Sequence, residues 1–275
     1  MNPRTPTGRD LEMQGIIDYS KVRDGFIKWV SGRVSKSHVK KMVSYLDKYL
    51  LGRTISSKEE LLELKQKASS EKNFVVAVRN LLNYYETFEL MDDEIINKYR
   101  KILKCARPNV DSFIPPDDLV REIYHKINRE DYKLVYEILA FSGLRVTEVV
   151  KFLNEYQDNK LICNRNFARY PLFYQRTTKH AFYVYLPITT AEKLERMRVS
   201  FYALTKYFRR KGLPPKYLRK WNYNFMIMHN VPESVADFIQ GRVPVTIGSM
   251  HYLAKVKQAD YWYGKIANLF ISMLY

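Results

Sequence analysis

Cysteine is scarce in this chain: among 275 residues only Cys105 and Cys163 occur. Their positions give neither metal-ligand spacing nor a disulfide framework, which fits a reducing interior. The first residues are charged and polar and lack an apolar signal core. The apolar run at the other end, Ile266 to Tyr275, is too short for a bilayer, which takes roughly 20 residues. A secreted or membrane-spanning protein is therefore not expected, and the sequence reads as soluble and intracellular. Also missing are a carboxylate cluster with metal-ligand spacing and a glycine-rich phosphate loop. No cofactor is expected, neither metal nor ATP.

Positive charge is what the chain has in excess. Lys and Arg number 46 against 29 Asp and Glu, a formal charge of +17 with a pI near 9.6. Such a balance implies a polyanionic partner, most simply nucleic acid, held largely through phosphates and weakened by salt. A ribosomal or chromatin protein would share that signature, so charge supplies a partner class and no chemistry. Hydrophobic content of 46% and aromatic content of 14% argue for a folded protein. The length suits one large domain or two of ordinary size.

Up to about residue 17 the chain is polar. From there to about 104 the pattern is helical throughout. Phe26, Trp29 and Val30 make one apolar face; Val39, Met42, Val43, Leu46, Tyr49 and Leu50 make another at i, i+3, i+4, i+7 spacing. Ser57 with Glu60 reads as a capping box before Leu61, Leu62 and Leu64. The stretches Phe74 to Phe88 and Ile95 to Leu103 complete four or five short helices. Lys28, Arg33, Lys36, Lys40, Lys41 and Lys48 are interleaved with these faces. Singly they read as solvated helix sides; as a set they fit a module that clamps DNA. Three prolines between Ala106 and Pro116 mark a boundary. The predicted organisation is a helical domain over 1–106, a linker over 107–116 and a second domain over 117–275.

The second domain is organised around Phe141-Ser142-Gly143-Leu144-Arg145-Val146-Thr147-Glu148-Val149-Val150. A helix stops at Gly143, a residue free to take positive φ, and another starts almost at once, leaving Arg145 at the corner. Val146, Val149, Val150 and Leu153 repeat at helical spacing and place Arg145 and Glu148 (i, i+3) together, away from the apolar stripe. A carboxylate there orients a guanidinium, whose planar fork suits a phosphate. These ten residues alone also fit a surface ion pair after a helix break. After Leu153 the period changes: Leu161 to Cys163, Tyr170 to Tyr174 and Phe182 to Leu186 read as a small antiparallel sheet, with Arg176-Thr177-Thr178-Lys179-His180 as the last turn. A helical pair is expected from Thr189 to Lys211. Pro215 then opens a helix whose buried stripe is Leu218, Trp221, Phe225 and Met228, with Lys216 and Arg219 projecting together from one flank. Pro232 to Gln240 forms another helix ended by Gly241, and Arg242 follows. The fold class is mainly α with a small antiparallel β-sheet.

Ser142, Gly143, Leu144, Arg145 and Glu148 match the first conserved box of the tyrosine recombinases, the phage-type integrases, which reads roughly Thr/Ser-Gly-Leu-Arg-x-x-Glu. The rest of the chain resembles that family in order. The family's second box is usually His-x-x-Arg; Lys216 and Arg219 give Lys-x-x-Arg, and Gly241-Arg242 stands where Gly-His is common, both forms associated with archaeal virus and plasmid integrases of the fusellovirus type. The resemblance implies a helical core-binding domain ahead of a catalytic domain, with Arg145 and Arg219 clamping the phosphate and Lys216 and Arg242 as further donors. An unperturbed lysine stays protonated near pH 7 and serves better as donor than as base; an arginine donates but does not accept a proton. Lys179 on the hairpin is implied as the acid for the leaving oxygen, with Arg176 and His180 as adjacent rivals. Tyr252 is the implied nucleophile by order and by its distance beyond Arg219, Tyr261 and Tyr263 being the fallbacks among 22 tyrosines.

By this resemblance the protein is a site-specific recombinase that nicks double-stranded DNA through a 3′-phosphotyrosyl bond. It is expected to exchange strands through a Holliday junction as a homotetramer, inside an archaeal cell. The rivals are a topoisomerase IB-like swivel with the same site and a non-catalytic basic nucleic-acid-binding protein. The final basic and apolar stretch, Ala254 to Tyr275, is expected to dock on its own core or on a neighbouring subunit.

Overall fold

The computed structural model describes residues 15–105, 111–176, 179–242 and 252–275, and of residues 175, 176, 179, 252 and 253 it describes the backbone alone. The chain divides into two compact units, Met1–Val110 and Asp111–Tyr275.

In the first unit the described residues form helices α1 (Tyr19–Ser31), α2 (Lys36–Tyr49), α3 (Lys58–Lys67), α4 (Glu71–Thr87) and α5 (Asp93–Ile102). The amphipathic spacing read from the sequence accounts for them: Phe26, Val30, Leu46, Phe74, Leu81 and Leu82 are fully buried. The expected capping box opens α3, with Glu60 N–H donating to Ser57 Oγ at 3.2 Å and Ser57 N–H to Glu60 Oε2 at 3.4 Å. Helical periodicity did not reveal a short antiparallel bridge, β1 (Ile17–Asp18) with β2 (Thr54–Ile55). Two residues are too few to show a period of two, yet Ile17 and Ile55 are both buried there. The six basic residues singled out on this unit are exposed.

The second unit runs α6 (Asp117–His125), α7 (Glu130–Ser142), α8 (Val146–Glu155), β3 (Ile162–Cys163), β4 (Phe167–Arg176), β5 (Lys179–Pro187), α9 (Ile188–Ala191), α10 (Phe201–Arg210), α11 (Pro215–Met228), α12 (Glu233–Ile239) and α13 (Tyr252–Leu274). The strands form an antiparallel sheet in the order β3-β4-β5, with Phe167 opposite Pro187 and Arg176 opposite Lys179. The architecture is mainly α with a small antiparallel sheet, as the sequence predicted.

Helix α7 is the axle of this unit. Every residue from Leu134 to Ser142 is buried, the mark of a helix covered on all sides, and it packs against α8, α11 and β5. Inside that cover lies Glu137, whose carboxylate accepts from the Tyr124 hydroxyl (2.8 Å), the Thr190 hydroxyl (3.0 Å), the Tyr275 hydroxyl (2.7 Å) and Lys193 Nζ (3.1 Å). Helix α13 docks on this same core: Tyr263 is fully buried, and its hydroxyl donates to Phe141 O (3.1 Å) and Tyr185 O (3.2 Å). Of the two dockings open in the sequence, the structure has the one within the chain's own unit.

The expected helical pair is present but shorter than its range, and one further expectation needs correction. Between Thr189 and Lys211 only α9 and α10 are helical; residues 192–200 are held in irregular form by Met197 N–H to Leu153 O (3.0 Å) and Val199 N–H to Asn154 Oδ1 (2.8 Å). In α11 the buried stripe is Leu218, Trp221, Asn222, Phe225 and Met226, while Met228 is 72% exposed, because the helix ends before its turn reaches the core again. Among the described residues no helix is long and apolar enough to cross a membrane.

Replacing Glu137 by Leu removes the acceptor of two buried hydroxyls, those of Tyr124 and Thr190, and of the exposed Tyr275. Urea unfolding of the full chain should show the Asp111–Tyr275 unit weakened by about 2–4 kcal/mol.

A candidate phosphate-binding site at the helix corner

Helix α7 ends on Gly143 at φ +61°. A Cβ there would fall 2.2 Å from Asn222 Oδ1 and 2.5 Å from Gln240 Nε2, so only glycine allows the turn and the contact together. Helix α8 begins three residues on, with Arg145 as its N-cap. Arg145 N–H donates to Glu148 Oε2 (2.7 Å), and the guanidinium Nη1 donates to Glu148 Oε1 (2.6 Å). One carboxylate thus fixes both the start of the helix and the direction of the arginine. The sequence placed Glu148 away from the core; the structure buries its side chain to 3% exposure, leaving that of Arg145 at 26%. The pair is a buried carboxylate aiming a half-exposed cation.

Arg219 comes from the second turn of α11 and turns inward. Its Nη1 donates to Gly143 O (2.6 Å) and Gln240 O (2.8 Å), the carbonyls that end α7 and α12. Nη2 is buried without a partner among the described residues. Burial first, then the like charges of Arg145 and Arg242, push its pKa down to about 9, against the opposing pull of Glu148 and Asp237. The group keeps its proton at neutral pH but is short of negative charge. Two amides that the sequence reading missed hold it there. Gln240 Nε2 donates to Arg219 O (2.9 Å) and Asn222 Oδ1 (2.6 Å), and Asn222 Nδ2 donates to Ala140 O (2.8 Å) and Phe141 O (3.0 Å). The available signals were a polar residue interrupting the apolar stripe of α11 and one preceding Gly241.

Arg242 follows Gly241, which has φ +63°. A Cβ on Gly241 would meet His180 O at 2.0 Å, so the backbone here lies directly on the start of β5. Arg242 is exposed, its guanidinium 4.2 Å above the Tyr223 ring. Lys179 is the first residue of β5, beside that contact, and Tyr252 is the first residue of α13; the side chains of both lie outside the described residues, as does that of Arg176. His180, a rival to Lys179, is buried and stacked 6.0 Å from the Phe182 ring. Of the fallback tyrosines, Tyr263 is a core residue whose burial raises its pKa strongly, and Tyr261 is 58% exposed under Lys265.

Lys216 does not stand beside Arg219 as the sequence suggested. It reaches outward to Asp111 Oδ2 (2.8 Å) and lies 4.4 Å over the Tyr217 ring, while Lys220 approaches Asp111 Oδ1 at 3.2 Å. Hydrogen bonds from Lys216 and then Lys220 hold the Asp111 carboxyl down at about 2. Lys216 and Arg219 nevertheless line one cavity of about 630 Å³, together with Arg145 and Glu148.

The family profile of the archaeal phage integrases matches residues 112–269. The chain belongs to that family. Comparison of the integrase with curated proteins gives no match. Among solved structures it is similar to the XerH site-specific recombinase bound to difH substrate in a pre-cleavage complex, at a TM-score of 0.43 and 11% identity over 85% of this chain and 93% of that one. It is also similar to the XerA recombinase (0.36, 12%, 90% and 97%) and to the integrase from mycobacterium phage Brujita (0.35, 12%, 90% and 98%). Among the integrase's described residues no group of His, Cys, Asp and Glu is placed to hold a metal.

Gly143 and Gly52 both have positive φ, +61° and +71°, but a Cβ on Gly52 meets nothing within 4 Å. Gly143→Ala should therefore cost about 2–4 kcal/mol in chemical unfolding, for the strain and the clash with Asn222, whereas Gly52→Ala should cost about 1 kcal/mol. In an NMR titration the Asp111 carboxyl should keep its charge, and its lysine partners, from neutral pH down to about 2. The depressed value means the contact is present above the ordinary carboxylate range and lost as pH falls through that point. Lys216→Ala should move the midpoint up.

Proposed function

We propose that this integrase is a site-specific DNA recombinase that cleaves and rejoins double-stranded DNA through a 3′-phosphotyrosine, with neither metal nor ATP. The observation that carries the reading is the buried guanidinium of Arg219, with Nη2 unpartnered among the described residues and the positive charges of Arg145 and Arg242 acting on it. A phosphate at this corner supplies the missing acceptor and the missing charge together. Arg145 and Arg219 clamp the non-bridging oxygens, where negative charge builds in the pentacoordinate transition state. Each such donor is worth perhaps ~3 kcal/mol by analogy with oxyanion donors. Arg242 and Lys216 add donors at the margin, Lys216 after exchanging Asp111 for a phosphate.

In this reading the phenol oxygen of Tyr252 attacks phosphorus, giving up its proton to solvent water as the O–P bond forms and the bond to the 5′-oxygen breaks. Lys179 protonates the departing 5′-oxygen. An ordinary phenol pKa near 10 makes nearby cations useful to the developing phenolate. Because a phosphotyrosyl ester keeps the energy of the broken bond, a strand with a free 5′-hydroxyl reverses the step and rejoins. The exposed lysines of the first unit serve as the clamp on flanking DNA, and a homotetramer on two duplexes, inside an archaeal cell, is the proposed assembly.

Supercoiled and suicide DNA substrates test this after denaturation. A covalent protein–DNA adduct is expected from the wild type and none from Tyr252→Phe; an adduct that survives that substitution removes Tyr252 as nucleophile. Arg145→Ala should lower cleavage by at least a hundredfold and leave most DNA affinity, because affinity is spread over many cations. Loss of binding together with cleavage would make Arg145 structural instead.

A further inference from the structure

The cavity beside Arg145 is larger and more apolar than a phosphate needs. Its volume, about 630 Å³, falls within the roughly 300–1,000 Å³ of sites that enclose a whole small molecule. Arg145 and Arg219, the phosphate site, line the cavity. So do the apolar and aromatic side chains of Val146, Phe201, Pro214 and Tyr217 and the cations Arg209 and Lys216. The one carboxylate among its described lining residues, Glu148, is already committed to Arg145. Thr205 also lines the cavity, and its hydroxyl is without a hydrogen-bond partner among the described residues. Phe201 is 39% exposed and carries its neighbour Tyr202 edge-on at 5.4 Å.

A phosphate site, apolar side chains with an aromatic ring, a spare hydroxyl and net positive charge in one cavity are together complementary to a nucleotide. We propose that the cavity takes a nucleobase: the base adjoining the phosphate on Arg145 and Arg219 leaves the duplex stack and lies against Phe201, with Thr205 bonding its edge. This rests on the phosphate-site reading above and adds a base site to it. Stacking on an aromatic ring accepts any base, because every base has a π-face. Removing a base from the stack at the cleaved position loosens the duplex where a strand must separate.

The test compares inorganic phosphate, 2-deoxyribose 5-phosphate and 2′-deoxyadenosine 5′-monophosphate as ligands of the full-length protein, by NMR titration. The nucleotide should bind about tenfold more tightly than the sugar phosphate. Phe201→Ala and Thr205→Val should each erode that advantage and leave inorganic phosphate binding unchanged, whereas Arg145→Ala should weaken all three. A duplex that forms the covalent adduct should displace the nucleotide. Equal affinity for nucleotide and sugar phosphate overturns the base site and leaves the phosphate site standing. A nucleotide that stays bound in the presence of that duplex also overturns it, since the cavity then serves a free nucleotide. Failure of inorganic phosphate to bind the wild type removes the phosphate site itself.

Discussion

A guanidinium clasping two helix ends is the constraint on which the second unit depends. Arg219 Nη1 reaches Gly143 O and Gln240 O, so α7, α11 and α12 meet at one cation. Helix ends leave carbonyls unsatisfied and carry partial negative charge, and a cation there answers both needs. The same bonds fix where the second nitrogen points. Structure and site are thus one arrangement: the side chain that ties the helices is the one left short of an anion. The amides of Asn222 and Gln240 make the arrangement specific, since each bonds backbone on a neighbouring element and they bond one another.

Much of this was legible in the sequence where local chemistry decides the outcome. The stop at Gly143, the start of α8, the Ser57–Glu60 box, Pro215 in the first turn of α11 and Gly241 after α12 all follow from residues a few positions apart. The family resemblance put Arg145, Arg219 and Arg242 in one set. What escaped was settled by contacts distant in the chain. Ile17 meets Ile55 in a bridge too short to carry a pattern. Asp111 pairs with lysines more than a hundred positions away. Glu148 is buried because α8 turns its first loop inward, which a stripe of valines does not disclose. Helical spacing likewise put Lys216 beside Arg219, but one side chain is drawn outward by a carboxylate and the other inward by carbonyls.

The distribution of charge around the corner has a simple logic. Three arginines bear on one region, and the carboxylate nearest them is spent on direction, since Glu148 holds the backbone and guanidinium of Arg145. The outer lysines are occupied by Asp111 on an exposed surface, where an ion pair contributes little and exchanges readily. The inner cation is unsatisfied and the outer one only loosely engaged, which grades the site from rigid to adaptable.

Helix α13 brings Tyr252 at one end and closes on Glu137 through the Tyr275 hydroxyl at the other, with Arg121 Nε donating to Met273 O at 2.7 Å between them. Lending this helix to another copy would mean opening the interior around Tyr263 and exposing the axle of the unit. Such a loan would run at the pace of partial unfolding rather than of a swinging arm.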